Sequence, residues 1–89
     1  MYSYEISEKL RRTLKKLYKK NKKVCEAILK KVDEVINSNN PDHYKNLSYD
    51  LKEYKRIHIR SFVLVFKIDK KNRIIRFQDF QHHDDIYKR

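Results

Sequence analysis

The stretch Arg56-Ile57-His58-Ile59-Arg60 alternates strictly in residue type, with Arg56, His58 and Arg60 at one parity and Ile57 and Ile59 at the other. Successive side chains of a β-strand point to opposite faces of the sheet, so an extended chain here buries two isoleucines and presents three polar groups in a row. Taken alone, the pattern describes either a half-buried strand with a solvated outer face or a basic stripe on a rigid element. The chain beyond it is again strand-like. Phe62-Val63-Leu64-Val65-Phe66-Lys67-Ile68 is an almost continuous apolar run of high strand propensity, as expected of a central strand covered on both faces. Asp69-Lys70-Lys71-Asn72 is a polar hairpin connection, and Arg73 to Phe80 carries Ile74, Ile75, Phe77 and Phe80 into the next strand. Three consecutive strands, Tyr54 to Arg60 being the first, are joined by short connections and should form an antiparallel meander.

Upstream, the periodicity changes. Tyr2, Tyr4 and Ile6 alternate with Ser3 and Glu5, which suits a short opening strand. Ser7 stands where an N-cap would, with Glu8 in the first turn, and Ile6, Leu10, Leu14, Leu17 and Tyr18 then recur at helical spacing. Arg11, Arg12, Lys15, Lys16, Lys19 and Lys20 occupy the remaining surface, giving an amphipathic helix with a basic outer face. Asn21 and the adjacent lysines break this period, and a second begins with Val24, Ile28, Val32, Val35 and Ile36. Two helices joined by about two to four residues lie antiparallel as a hairpin. Asn37-Ser38-Asn39-Asn40-Pro41-Asp42 ends the second helix, because proline cannot continue the ladder and asparagine favours turns. His43, Tyr44, Leu47, Tyr49 and Leu51 then lie in an irregular lead-in with room for one helical turn. The expected fold is α+β: an N-terminal strand and an α-helical hairpin packed on one face of a mainly antiparallel twisted sheet, with residues 1–89 forming one domain.

Composition narrows the function. A domain of 89 residues has a thin core and leaves little room for a deep substrate cavity. Its 23 Lys and Arg outnumber 12 Asp and Glu, for a net charge of +11, a field that favours a polyanionic partner such as nucleic acid or an acidic protein segment. The single cysteine, Cys25, excludes an internal disulfide framework and sits in a helical pattern, where it reads as a small core residue. No signal peptide or membrane-spanning apolar run is visible, so a cytoplasmic location is expected. The chain closes on His82-His83-Asp84-Asp85-Ile86-Tyr87. Adjacent residues of a strand point oppositely and no second cluster supplies zinc-site spacing, so a metal is not expected there.

These elements, in this order, resemble the RelE/ParE superfamily of type II toxin–antitoxin toxins, and especially its RelE-like archaeal members. The resemblance covers nearly the whole chain. It rests on the lead-in Asn46-Leu47-Ser48-Tyr49-Asp50-Leu51, on Arg56-Ile57-His58-Ile59-Arg60-Ser61-Phe62-Val63-Leu64-Val65-Phe66, and on the closing His82-His83-Asp84-Asp85-Ile86-Tyr87. The family reads arginine-x-arginine-valine-glycine-aspartate-tyrosine-arginine before its apolar run and histidine-arginine-x-x-x-tyrosine at its close. Three departures stand out. Arg60 replaces the glycine, Val63 replaces the arginine after the tyrosine position, and His83 replaces the closing arginine.

The resemblance implies a small basic toxin held inactive by a cognate, RelB-like antitoxin. It further implies a ribosome-dependent, metal-independent mRNA endonuclease, in which a ribose 2′-hydroxyl attacks the adjoining phosphate without a cofactor. That reaction needs a base, an acid and cations facing a crowded phosphorane. Histidine, with an ordinary pKa near 6.5, serves as either acid or base, and arginine grips phosphate bidentately. By motif position the resemblance assigns Arg56, Arg60 and His82 to RNA phosphate and His58, His83 and Tyr87 to catalysis. The alternatives are a ParE-like gyrase inhibitor with no hydrolytic residues, a catalytically attenuated toxin, and a plain RNA-binding protein.

Overall fold

The computed structural model describes residues 2–44 and 54–82. The expected α+β architecture is present: two helices pack on a four-stranded mixed sheet. Strand β1 (Ser3–Ile6) is followed by helices α1 (Glu8–Lys20) and α2 (Lys22–Ile36), a single 3-10 turn (Pro41–His43), and strands β2 (Lys55–Ile59), β3 (Phe62–Asp69) and β4 (Ile74–His82). The spatial order is β1-β4-β3-β2. The three C-terminal strands form the antiparallel meander, and β1 joins parallel to β4.

Local chemistry sets the boundaries. Ser7 caps α1 by accepting the Leu10 N–H at 3.0 Å, while its hydroxyl donates to the Gln78 carbonyl at 2.6 Å. One side chain thus satisfies an orphan helix donor and ties the helix start to β4. The connection between the helices is shorter than the expected two to four residues. Asn21 alone ends α1, its N–H bonding the Leu17 carbonyl, and starts α2, its side-chain oxygen accepting from Val24 N–H at 3.3 Å. A residue that can cap both ways makes a longer loop unnecessary. Pro41 begins the 3-10 turn, where its missing N–H costs nothing. The lead-in residues Leu47, Tyr49 and Leu51 lie outside the described residues.

The core sits between the hairpin and the sheet. Leu10, Val24, Ile28, Val32, Val35 and Ile36 from the helices meet Ile59, Leu64, Phe66, Ile75, Phe77 and Phe80 from the strands. Cys25 is buried, as its place in the helical period requires. Phe77 and Phe80 are three residues apart yet share this face. A β-bulge explains it: Val65 pairs with Asp79 and Phe66 with Phe77, so Gln78 is the extra residue and the parity of β4 reverses across it. On the opposite face of β3, Val63 and Val65 form a second small cluster with Tyr54, so β3 is covered on both sides.

The expected strand from Tyr54 to Arg60 is corrected at its end. Ile59 pairs with Phe62, leaving Arg60 and Ser61 as a two-residue turn, and Arg60 adopts φ 58°. A tight hairpin matching the sheet twist requires positive φ in such a turn, which is why glycine is the usual occupant.

Candidate active site

The pairing register decides which residues share a surface, since partners across a ladder point to the same side. Arg56 pairs with Val65 and His58 with Val63, so both side chains project from the sheet face that, among the described residues, carries no helix. On the same face, Gln81 flanks Val63 and Asp79 flanks Val65 from β4, while Lys67 lies over the Tyr54 ring at 5.7 Å. Val63 is fully buried in the middle of the row His58–Val63–Gln81. Neighbouring strands are about 4.8 Å apart, so the two outer residues of this row stand roughly 10 Å from one another.

Within the row, Arg56 Nη1 approaches His58 Nδ1 at 3.2 Å. Guanidinium nitrogens only donate, so His58 Nδ1 accepts and the neutral ring carries its hydrogen on Nε2. Their i, i+2 spacing on one strand is what places the two polar groups side by side. Both line an open hollow of about 520 Å³ together with Ile57, His43 and Tyr44. That size suits a small ligand or one unit of a polymer.

Not all of the sequence-assigned residues converge. Arg60 stands exposed in the β2–β3 turn, outside the alternating row, because the strand has ended before it. The expected basic stripe is therefore two residues, Arg56 and His58. His82 is also displaced: it pairs with Phe62, and its ring meets the Phe62 ring edge-on at 5.6 Å, on the helix side of the sheet. The meander does bring β2 and β4 to either side of β3, yet the bulge parity sends His82 to the face opposite His58. His83 and Tyr87 lie outside the described residues.

Two features of this region were not singled out from sequence. His43 and Tyr44 border the hollow from the 3-10 turn, with ring centroids 4.1 Å apart. Tyr44 is held by its hydroxyl, which donates to Glu34 at 3.3 Å, and by an edge contact with Phe66; burial first, then the Glu34 charge and hydrogen bond, raise its pKa. The turn itself is fastened by the buried Lys55, whose ammonium donates to the carbonyls of Asp42 and Tyr44 at 3.1 and 3.0 Å. The other feature is Asp79, a buried carboxylate beside the bulge. It takes the Lys9 ammonium at 3.0 Å, the Phe80 N–H at 2.8 Å and the Gln81 amide. Its position after a bulge breaks the sequence alternation, so parity could not reveal it.

Away from the hollow, ion pairs fasten the sheet. Arg76 bridges Glu5 on β1 at 2.9 Å and Asp69 at the end of β3 at 3.1 Å, and these hydrogen bonds, to Asp69 and then Glu5, raise its pKa. Asp69 also accepts from the backbone and side chain of Asn72, which closes the β3–β4 connection. Those bonds, led by the Asn72 amide, hold its pKa down to about 2. Among the described residues, no helix is long and apolar enough to cross a membrane.

Residues 4–87 match the family model described as the ParE toxin of the type II toxin–antitoxin system, parDE. A Methanocaldococcus jannaschii chain provisionally named toxin RelE4 is 51% identical over 90 residues, covering 100% of this chain and 94% of its own. An uncharacterized protein of Methanosarcina mazei is 47% identical over 88 residues, covering 98% of this chain and 100% of its own. Among solved structures, a chain of the intact E. coli RelBE toxin–antitoxin complex has a TM-score of 0.73 at 20% identity, covering 92% of this chain and 96% of that one.

Proposed function

This chain belongs to the ParE toxin family of type II toxin–antitoxin systems, within the RelE/ParE superfamily, and on that premise we propose that it is a ribosome-dependent, metal-independent mRNA endonuclease. The observation that carries the reading is the Arg56–His58 pair at 3.2 Å on the sheet face opposite the described helices, bordering a hollow of about 520 Å³ at the β2 edge. A guanidinium beside an imidazole whose other nitrogen, Nε2, bears the hydrogen is an arrangement that binds a phosphate and steadies charge as it grows on the phosphorane oxygens. Arg56 grips the scissile phosphate and His58 donates from Nε2 to the same group. This reading further assigns Arg60, His82, His83 and Tyr87 to contact with the RNA away from that phosphate.

The partner reading rests on the family and the charge. The E. coli relative is seen in a complex of RelB and RelE. A RelB-like acidic antitoxin is the corresponding partner here, drawn to the basic face of α1 and to the net charge of +11. Its binding keeps the toxin silent until it is removed.

A second reading has its own support, because the matching family model is that of ParE rather than of RelE. On that reading the same fold inhibits DNA gyrase by binding, with no hydrolytic chemistry. Purified protein incubated with translating ribosomes, with mapping of the RNA ends, and in parallel with gyrase, separates the two. Codon-phased cuts are expected. Supercoiling inhibition without cuts would replace the endonuclease reading with the second.

A further inference from the structure

His43 is exposed on the 3-10 turn, and its Nδ1 lies 2.6 Å from the backbone carbonyl of Asn40. A carbonyl oxygen can only accept, so Nδ1 carries the hydrogen and the neutral ring keeps its lone pair on Nε2. His58 is the reverse case, since its Nδ1 accepts from Arg56 and its hydrogen is on Nε2. Two histidines of opposite tautomer therefore line one hollow. The difference has a chemical consequence. When His43 gains a proton it does so at Nε2, with the Asn40 anchor kept. When His58 gains one it must give up the Arg56 contact and place a second positive charge beside the guanidinium.

We propose that His43 is a further catalytic residue, the general base of the cleavage reaction, with His58 remaining neutral as an anion-binding donor; this rests on the endonuclease reading. His43 Nε2 removes the proton of the 2′-hydroxyl as the O2′–P bond forms, and the P–O5′ bond breaks. The departing 5′ oxygen takes a proton from water, His43 later releases its own to solvent, and the products are a 2′,3′-cyclic phosphate and a 5′-hydroxyl. The ring is positioned for this by its anchor and by a tilted contact with the Tyr44 ring, 33° between planes, which Glu34 and Phe66 in turn hold. Among the described residues, the charged and titratable groups facing the turn are Asp42, Lys55 and Lys70 around its backbone, Glu34 from α2, and Arg56 and His58 from β2. Asp42 is paired with both Lys70 at 2.6 Å and Lys55 at 3.9 Å, so with Arg56 the surroundings of the base are net positive.

The test is single-turnover cleavage of ribosome-bound mRNA as a function of pH by the wild type, His43→Gln and His58→Gln, with fold checked by circular dichroism. Removal of a general base costs roughly 100-fold or more. His43→Gln should lose at least that factor with ribosome binding unchanged, and should lose the acidic limb of the rate profile. His58→Gln should slow the reaction while keeping that limb. Nitrogen NMR of the free protein should show His43 hydrogenated at Nδ1 and His58 at Nε2 in their neutral forms. A wild type that cuts nothing overturns the endonuclease reading and this assignment with it. A wild type that cuts, with His43→Gln matching its rate and pH profile, or with His43 hydrogenated at Nε2, overturns the assignment of His43 alone.

Discussion

The two faces of the sheet differ in what they are made of. The helix face carries Ile59, Leu64, Phe66, Ile75, Phe77 and Phe80 against six apolar helix residues, whereas the buried apolar cluster of the other face, among the described residues, is Val63 and Val65 with Tyr54 packed against them. Around that small cluster stand Arg56, His58, Lys67, Arg76, Asp79 and Gln81. In a domain this small nearly all burial has to come from one interface, so the polar face is left available for chemistry at little cost in stability. One β-strand period serves both: each strand spends alternate residues on folding and on the site.

If that division is real, substitutions on the two faces should separate. Phe66→Ala, in the centre of the helix face and fully buried, should destabilise by about 3–5 kcal/mol in urea unfolding, a large part of what an 89-residue domain has. Ser7→Ala removes both the cap of α1 and the link to Gln78, and a loss of about 1–2 kcal/mol is expected in the same assay. Asp69 sharpens the comparison through pH. Its folded pKa of about 2 lies below the ordinary value of 3.8, so its contribution is complete above 3.8 and is lost as pH falls through about 2. Acid unfolding followed across that window should therefore be less steep for Asp69→Asn than for the wild type. The smallest effect concerns the turn. Arg60→Gly relieves a left-handed residue, worth about 1–2 kcal/mol, but loosens the unfolded chain by roughly 0.5–1 kcal/mol, so a net gain of about 0.5 kcal/mol should appear as a raised urea midpoint.

Much of this architecture was legible in the residues. The 3.6-residue period of Leu10, Leu14 and Leu17 and of Val24, Ile28, Val32 and Val35 marked both helices, and Ser7 and Pro41 marked boundaries by chemistry that acts locally. The meander followed from three strand-like runs with short connections. The parallel placement of β1 beside β4 did not follow, because pairing between residues more than 70 positions apart leaves no local pattern. Nor did the bulge at Gln78, and with it went the parity of Phe80, Asp79 and His82. Arg60 was misplaced for a similar reason: alternation in residue type continues through it, while the backbone turns. His43 was overlooked as a site residue because it lies 15 positions before His58 in a turn, and only the fold sets them around one hollow.

The central claim is that the face opposite the described helices, at Arg56 and His58, cuts RNA while the helix face holds the fold. The most direct measurement pairs two readings on one variant, Arg56→Ala: the free energy of urea unfolding and the rate of ribosome-dependent mRNA cleavage. Truncating the half-buried Arg56 side chain, with its His58 contact, should change stability by no more than about 1.5 kcal/mol, and loss of a charge-assisted phosphate contact should slow cleavage roughly 10-fold or more. Unchanged cleavage, or a slowing matched by unfolding of the domain, would contradict the division of labour between the two faces.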